Sequence, residues 1–197
     1  MSLILVSVCQ YSANADVCTE NLTVKLPDKF LVVPPLFQQQ RVTNLELREM
    51  VSQPTALRSI EIDVGSQPFC KTCIRIDRNF QPGSLNLRAN GHQLPFRDGT
   101  IGKIVYKNAM NDYSPEAFRA LTSGGDLWVI WSYHVFENGM TWYYPSDVAP
   151  KKEAPLEEAY EFESQRRIAA AIRSGFIGGE PERFRTDSLF ALRFRRP

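Results

Sequence analysis

The chain has 197 residues, 43% hydrophobic and 23% charged, with 23 Lys+Arg against 22 Asp+Glu and a net charge of +1. That is enough chain for one substantial core and too little for two, and the composition excludes a disordered or fibrous protein. The balanced charge excludes a global field drawing the molecule to nucleic acid or anionic lipid, so neither nucleic acid nor membrane is an expected partner.

The opening run Met1-Ser2-Leu3-Ile4-Leu5-Val6 is apolar, but no Lys or Arg precedes it. It falls short of the ~20 apolar residues of a membrane span, so neither a secretory signal nor a spanning helix is predicted. Pro27, Pro34, Pro35 and the polar run Gln38-Gln39-Gln40-Arg41 then interrupt each apolar stretch. Residues 1–55 are therefore read as an irregular N-terminal arm or partner surface, and 56–197 as the folded domain. Inside the arm, Leu45, Leu47 and Val51 share one face of a short helix over 44–51, with Thr43 or Asn44 as its cap.

From Arg58 onward, short β-branched or aromatic runs alternate with longer stretches, bounded by Gly, Pro or Asn. Strands are predicted at 60–64, 74–77, 85–89, 104–106 and 127–131. Ser114-Pro115 opens a helix over 114–121, and Gly124-Gly125 ends it. A second helix runs over 156–174, with Gly175 as its stop, and a last strand over 189–194. The expected fold class is α/β: a Rossmann-like, doubly wound, mostly parallel sheet with an antiparallel C-terminal strand. The aromatic stretch 139–145 is expected to form a lid or a partner surface.

Cys9, Cys18, Cys70 and Cys73 are too few and too scattered for a disulfide framework, which fits a reducing, cytoplasmic setting. Cys70 and Cys73 form one CxxC, but His92 and His134 are the only histidines and no second pair stands at finger spacing. The cysteines are read as incidental ahead of redox-active, and redox-active ahead of zinc-binding; no metal is expected. Glu153, Glu157, Glu158, Glu161 and Glu163 followed by Arg183, Arg185, Arg193, Arg195 and Arg196 read as a solvated helix face and a one-sided strand.

The motif order adds a resemblance. Ile62-Asp63-Val64-Gly65-Ser66-Gln67-Pro68 resembles the first-strand loop of class I S-adenosylmethionine-dependent methyltransferases of the type 11-like kind. Ile74-Arg75-Ile76-Asp77 looks like their second strand ending in an acid, and Asn90-Gly91-His92-Gln93-Leu94-Pro95-Phe96-Arg97-Asp98 like their "D-A-x-x-LPF-x-D" segment. Ala120-Leu121-Thr122-Ser123-Gly124-Gly125-Asp126-Leu127 is similar to their "GG" turn, and Ser174-Gly175-Phe176 to their "aGF". The likeness spans about residues 58–197, and an ordered set is far more specific than a lone glycine loop.

The resemblance implies S-adenosylmethionine as cofactor, held by Asp63, Gly65, Ser66, Gln67, Asp77, Asn90 and Gly91. Asp77 would accept from the ribose hydroxyls, Asn90 from the adenine amino group through its side-chain carbonyl, and a neighbouring backbone N–H would meet the ring. Leu94 and Phe96 are read as core or as apolar walls. Two departures stand out: Gln67 occupies a position where the family has glycine, and Gly102 one where it has an acid. His134 and Asp112 are the candidate proton acceptors, and Lys107 could serve as a base too; Lys107 and Asp112 are otherwise read as solvated loop charges, and His134 as a loop histidine. The implied function is methyl transfer to a small molecule. The alternative is an inactive methyltransferase-like domain that binds a protein partner through its arm and the Trp142-Tyr143-Tyr144 region. A dinucleotide oxidoreductase would want a G-x-G-x-x-G loop, and only Gly65 is present.

Overall fold

The computed structural model describes residues 40–58, 60–65, 69–77, 86–108, 114–143, 152–176 and 181–197. In chain order these form β1 (Gln40–Arg41), α1 (Asn44–Ser52), β2 (Ile60–Val64), β3 (Ile74–Asp77), β4 (Asn86–Arg88), β5 (Ile101–Lys107), α2 (Ser114–Ala120), β6 (Leu121–Ser132), β7 (Met140–Tyr143), β8 (Lys152–Pro155), α3 (Leu156–Arg173), β9 (Glu182–Arg185) and β10 (Leu189–Arg195).

The main sheet has eight strands in the order β1-β9-β10-β6-β5-β2-β3-β4. β4, β3, β2, β5 and β6 are mutually parallel, β10 lies antiparallel to both β6 and β9, and β1 runs parallel to β9. This is the expected doubly wound sheet with an antiparallel C-terminal strand. The chain leaves β2 for β3 and β4 on one side and returns to β5 on the other, so the winding reverses between β2 and β5.

Strand alternation sorts the side chains onto two faces. Ile62, Val64, Ile76, Ile104, Tyr106, Leu127, Val129 and Trp131 meet Ala117 and Ala120 of α2 and Tyr160 and Ala171 of α3. Opposite them, Val105, Trp128, Ile130 and Ala191 meet Leu47 and Val51 of α1 and Phe69 and Cys70 of the segment after β2. Leu47 and Val51 are fully buried, which stabilises the fold by about 1.5–3 kcal/mol for each side chain. α1 is closed by a capping box in which Thr43 Oγ1 accepts from the Glu46 N–H and the Glu46 carboxylate accepts from the Thr43 N–H.

Three expectations are corrected. The arm does not extend to residue 55: β1 pairs with β9 and α1 packs through Leu47 and Val51 on one sheet face, so residues 40–52 belong to the domain. A parallel crossover ordinarily takes a dozen or more residues and a helix, yet residues 65–73 complete the passage from β2 to β3. Phe69–Cys73 carries no helix there; Cys70 and Cys73 are instead joined in a disulfide, not incidental. Gly124-Gly125 does not end α2. β6 begins directly after Ala120 and runs through both glycines, at the point where its register with β5 slips between Ile101 and Lys103. A β-carbon on Gly125 would stand 2.9 Å from the Thr122 oxygen and 3.1 Å from that of Gly102. The glycine is required because the bulged backbone of β6 closes on its own Thr122 carbonyl and on the Gly102 carbonyl of β5.

The stretch after β6 folds as a hairpin of β7 and β8, with Trp142 half exposed and stacked edgewise on Phe136. Among the described residues no helix is long and apolar enough to cross a membrane.

Candidate functional site

In an open α/β sheet, ligands bind beyond the carboxyl ends of the strands where the winding reverses. Here that edge carries Val64-Gly65 from β2, Asp77 from β3, Asn90-Gly91 just after β4, Lys107-Asn108 from β5 and Ser132 from β6. Asn108 adopts φ 52°, and its Oδ1 accepts from both the backbone N–H (2.8 Å) and the hydroxyl (3.2 Å) of Ser132. Asparagine tolerates this conformation better than other non-glycine residues, and its side chain ties the ends of β5 and β6 together.

Asp63 is completely buried on the α1 face. Its Oδ2 accepts from the N–H groups of Phe69 (2.5 Å) and Cys70 (2.8 Å), so the carboxylate shapes the loop after β2 from below. Oδ1 is also buried and has no hydrogen-bond donor among the described residues. Burial pushes this carboxyl above the usual carboxylate range, against the pull of the two N–H donors, Lys107 and Arg75.

Gly65 has φ +148°, and a β-carbon there would lie 2.8 Å from the Lys107 carbonyl oxygen. The first-loop glycine therefore admits the end of β5. Lys107 is not a loop charge: it is buried beneath the Phe69 ring, with Nζ 5.5 Å from the ring centroid, and burial holds its ammonium below the ordinary lysine range.

Asp77 stands at the last position of β3, and its Oδ2 accepts from Arg75 Nη2 at 3.3 Å, the two side chains being 17% exposed each. They lie two residues apart on one strand face, which is what lets the guanidinium reach the carboxylate. Asn90 Oδ1 accepts from the His92 N–H (3.2 Å), so the carbonyl expected to meet an adenine amino group already closes a local turn. Gly91 is buried, and its carbonyl accepts from Tyr106 Oη at 3.4 Å, linking the turn after β4 to the end of β5.

The segment that follows is fixed by one guanidinium. Arg119 donates to Glu116, Asp98 and the carbonyls of Leu94 and Phe96, while Glu116 Oε1 accepts from the Leu94 N–H at 2.6 Å. Leu94 is thereby seated in the core with Phe96 packed against it, the first of the two readings the sequence offered for these residues.

His134 follows β6 on the same edge, exposed, with its ring edge-on to Phe136 at 5.1 Å. Ser66, Gln67 and Asp112 lie outside the described residues. The edge thus gathers Gly65, Asp77, Asn90 and Gly91 at neighbouring strand ends and puts Asp63 beneath them. Sequence reasoning missed Arg75 as the partner of Asp77; an i, i+2 pair of opposite charge on a strand was the available signal.

A separate cavity of about 430 Å³ opens at the opposite edge, lined by Gln53, Thr55, Lys103, Asp126, Trp128 and Arg193 among others. Its cations are matched there, Arg193 to Asp126 and Glu182, Lys103 to Glu61.

No protein-family model matches the chain, and no curated protein does. Solved structures similar to it include an S-adenosylmethionine-dependent methyltransferase from Mesorhizobium loti, with 12% identity, a TM-score of 0.47, and coverage of 77% of this chain and 96% of that one. A geranyl diphosphate methyltransferase in complex with GPP and sinefungin has 11% identity and a TM-score of 0.49, with 78% of each chain covered. The antibiotic-resistance methyltransferase Kmr has 16% identity and a TM-score of 0.45, covering 81% of this chain and 98% of that one. Likeness at this level does not carry a cofactor or a substrate from those chains to this one.

Proposed function

We propose that this chain binds S-adenosylmethionine at the carboxyl edge of β2, β3 and β4 and transfers its methyl group to a small-molecule acceptor. The observation that supports the reading best is the reversal of winding between β2 and β5, with the carboxylate of Asp77 one strand away and the Asn90-Gly91 turn beyond it. An acid at the end of the second parallel strand suits a ribose, because a carboxylate accepts from both hydroxyls at once.

The residues present fit the cofactor. Asp77 would hold the ribose, with Arg75 fixing its carboxylate, and the Asn90-Gly91 turn would flank the base. The buried Oδ1 of Asp63, without a donor among the described residues, fits a site that receives a cationic amino acid moiety near the end of β2. When bound, the cofactor supplies an electrophilic methyl group. The chain's part is to hold the acceptor beside it, which proximity alone can make productive, and to take up the acceptor's proton. His134 and Asp112 are assigned that last role.

Thermal unfolding with and without S-adenosylmethionine and S-adenosylhomocysteine, backed by calorimetry, tests the reading. Ligand at 100 times its dissociation constant stabilises by about 2.7 kcal/mol. The shift is expected in the wild type and in His134→Ala, and is expected to vanish in Asp77→Ala. Absence of shift and heat at millimolar ligand would overturn it.

A further inference from the structure

We propose that Glu61, Cys70 and Cys73 form a binding site for a thiophilic divalent cation of the zinc class, available when the disulfide is reduced. The carboxylate oxygen and both sulfurs lie within 4.8 Å of one another. A tetrahedral ion with metal–sulfur bonds near 2.3 Å and metal–oxygen bonds near 2.0–2.2 Å spaces its donors about 3.5–4 Å apart. Only side-chain torsions separate the bonded pair from that arrangement.

The loop carrying the cysteines is held without the disulfide. The Phe69 and Cys70 N–H groups donate to Asp63, the Lys71 N–H donates to Ser52 Oγ (3.2 Å), and Thr72 Oγ1 donates to the Ser52 carbonyl (3.4 Å). Reduction removes one bond and leaves both sulfurs beside Glu61. Glu61 is equally fixed: Oε1 accepts from the Thr55 N–H at 2.7 Å and Oε2 from Lys103 Nζ at 3.4 Å. Such outer hydrogen bonds orient a metal-ligating carboxylate, and each oxygen keeps a lone pair for a cation.

Charge points the same way. Two thiolates and one carboxylate around a dication sum to a single negative charge, and a buried net charge is costly. Lys103, only 2% exposed, supplies the balancing positive charge. In the oxidised state the same lysine and Glu61 form a neutral pair, so the cluster is balanced with the ion or with the disulfide. Cys70 is buried and Cys73 half-buried, which leaves the fourth position to water on the outer side.

The chemistry is complete with a dithiol reductant. It gives two electrons and two protons to the disulfide and becomes a disulfide itself; the two new thiols lose their protons as the cation binds. The site is independent of the cofactor reading.

The full chain carrying Cys9→Ser and Cys18→Ser is reduced anaerobically, freed of reductant and titrated with Co²⁺, then Zn²⁺. One equivalent is expected, with a thiolate-to-cobalt charge-transfer band that zinc displaces and that the oxidised chain lacks. Cys73→Ser should abolish the band, and Glu61→Gln should weaken binding by at least about 10-fold. In the unsubstituted reduced chain, one equivalent of zinc should slow iodoacetamide alkylation of Cys70 and Cys73, mapped by mass spectrometry, which needs no variant to fold. A reduced chain with no band and no protection, or equal affinity in Glu61→Gln, would overturn the proposal.

Discussion

The α-carbon of Gly65 lies so close to the end of β5 that a β-carbon would stand 2.8 Å from the carbonyl oxygen of Lys107. Backbone is what it would strike, and the φ of +148° already disfavours any side chain. Gly65→Ala should therefore destabilise the fold by about 1–3 kcal/mol. Gly139, with φ +75° and nothing within 4 Å, provides the comparison. Gly139→Ala should cost only the conformational strain, about 1 kcal/mol. Urea denaturation of both variants measures the difference, and equal losses would mean that the contact with β5 is unimportant.

Asp63 links the same loop to pH. Its carboxyl is held above the ordinary value of 3.8, chiefly by burial. The folded state therefore keeps the proton after the unfolded chain has lost it, and stability falls as pH rises from about 3.8 through the raised folded value. Asp63→Asn should remove that falling component from the stability–pH curve. It should also cost about 1–3 kcal/mol at pH 7, because one amide oxygen must serve the N–H groups of Phe69 and Cys70 without a charge. The difference between wild-type and variant curves isolates Asp63 from other carboxyls.

Arg119 gives the opposite slope. Its guanidinium, hydrogen-bonded to Glu116, holds that carboxyl below the usual range. Glu116 thus contributes stability that is present above its unfolded value, 4.5, and is lost as pH falls through the lowered folded value. Arg119→Ala should flatten acid unfolding in this window and cost about 1–3 kcal/mol at neutral pH, since the Leu94 and Phe96 carbonyls lose their donor. Arg119→Lys should recover only part, because an ammonium cannot span both carbonyls and both carboxylates in one plane.

Which parts of this were legible depended on where the stabilising partner lay along the chain. β2 and β3 declare themselves through Ile60, Ile62, Val64, Ile74 and Ile76, since β-branched residues fit a half-buried pleat. β9 has one apolar residue, Phe184, and is specified by its pairing with β10, while β1 is two polar residues that borrow the edge of β9. Neither has a local signal. At the site, the strand-end position of Asp77 was readable from the sequence. The commitment of Asp63 to the N–H groups of Phe69 and Cys70 was not, because it depends on how the short segment Phe69–Cys73, which carries no helix, packs against β2. The same short segment lays Cys70 and Cys73 against Glu61, an adjacency no spacing rule announces.

Lys103 is where α1, the sheet and that cysteine loop meet. Its buried Nζ donates to the carbonyls of Val51 (3.1 Å) and Gln53 at the end of α1 and to Glu61. A cation there satisfies helix-end carbonyls that would otherwise be buried unpaired. Burial, the largest influence, holds the ammonium below its ordinary 10.5, against the attraction of Glu61. The folded state therefore sheds this proton before the unfolded chain does. Between the lowered value and 10.5 the unfolded state binds more protons, so this residue makes stability rise with pH. Lys103→Met keeps the apolar stem and removes the donors. It should cost about 3–5 kcal/mol at pH 7, the range for breaking a buried pair from one side, and it should abolish the alkaline rise. Tyr133 and Tyr160, both held above the ordinary phenol range by burial, titrate in wild type and variant alike and cancel in the difference. If the stability curves of the wild type and the Lys103→Met variant run parallel as pH rises to 10.5, Lys103 is not the group that makes stability rise there.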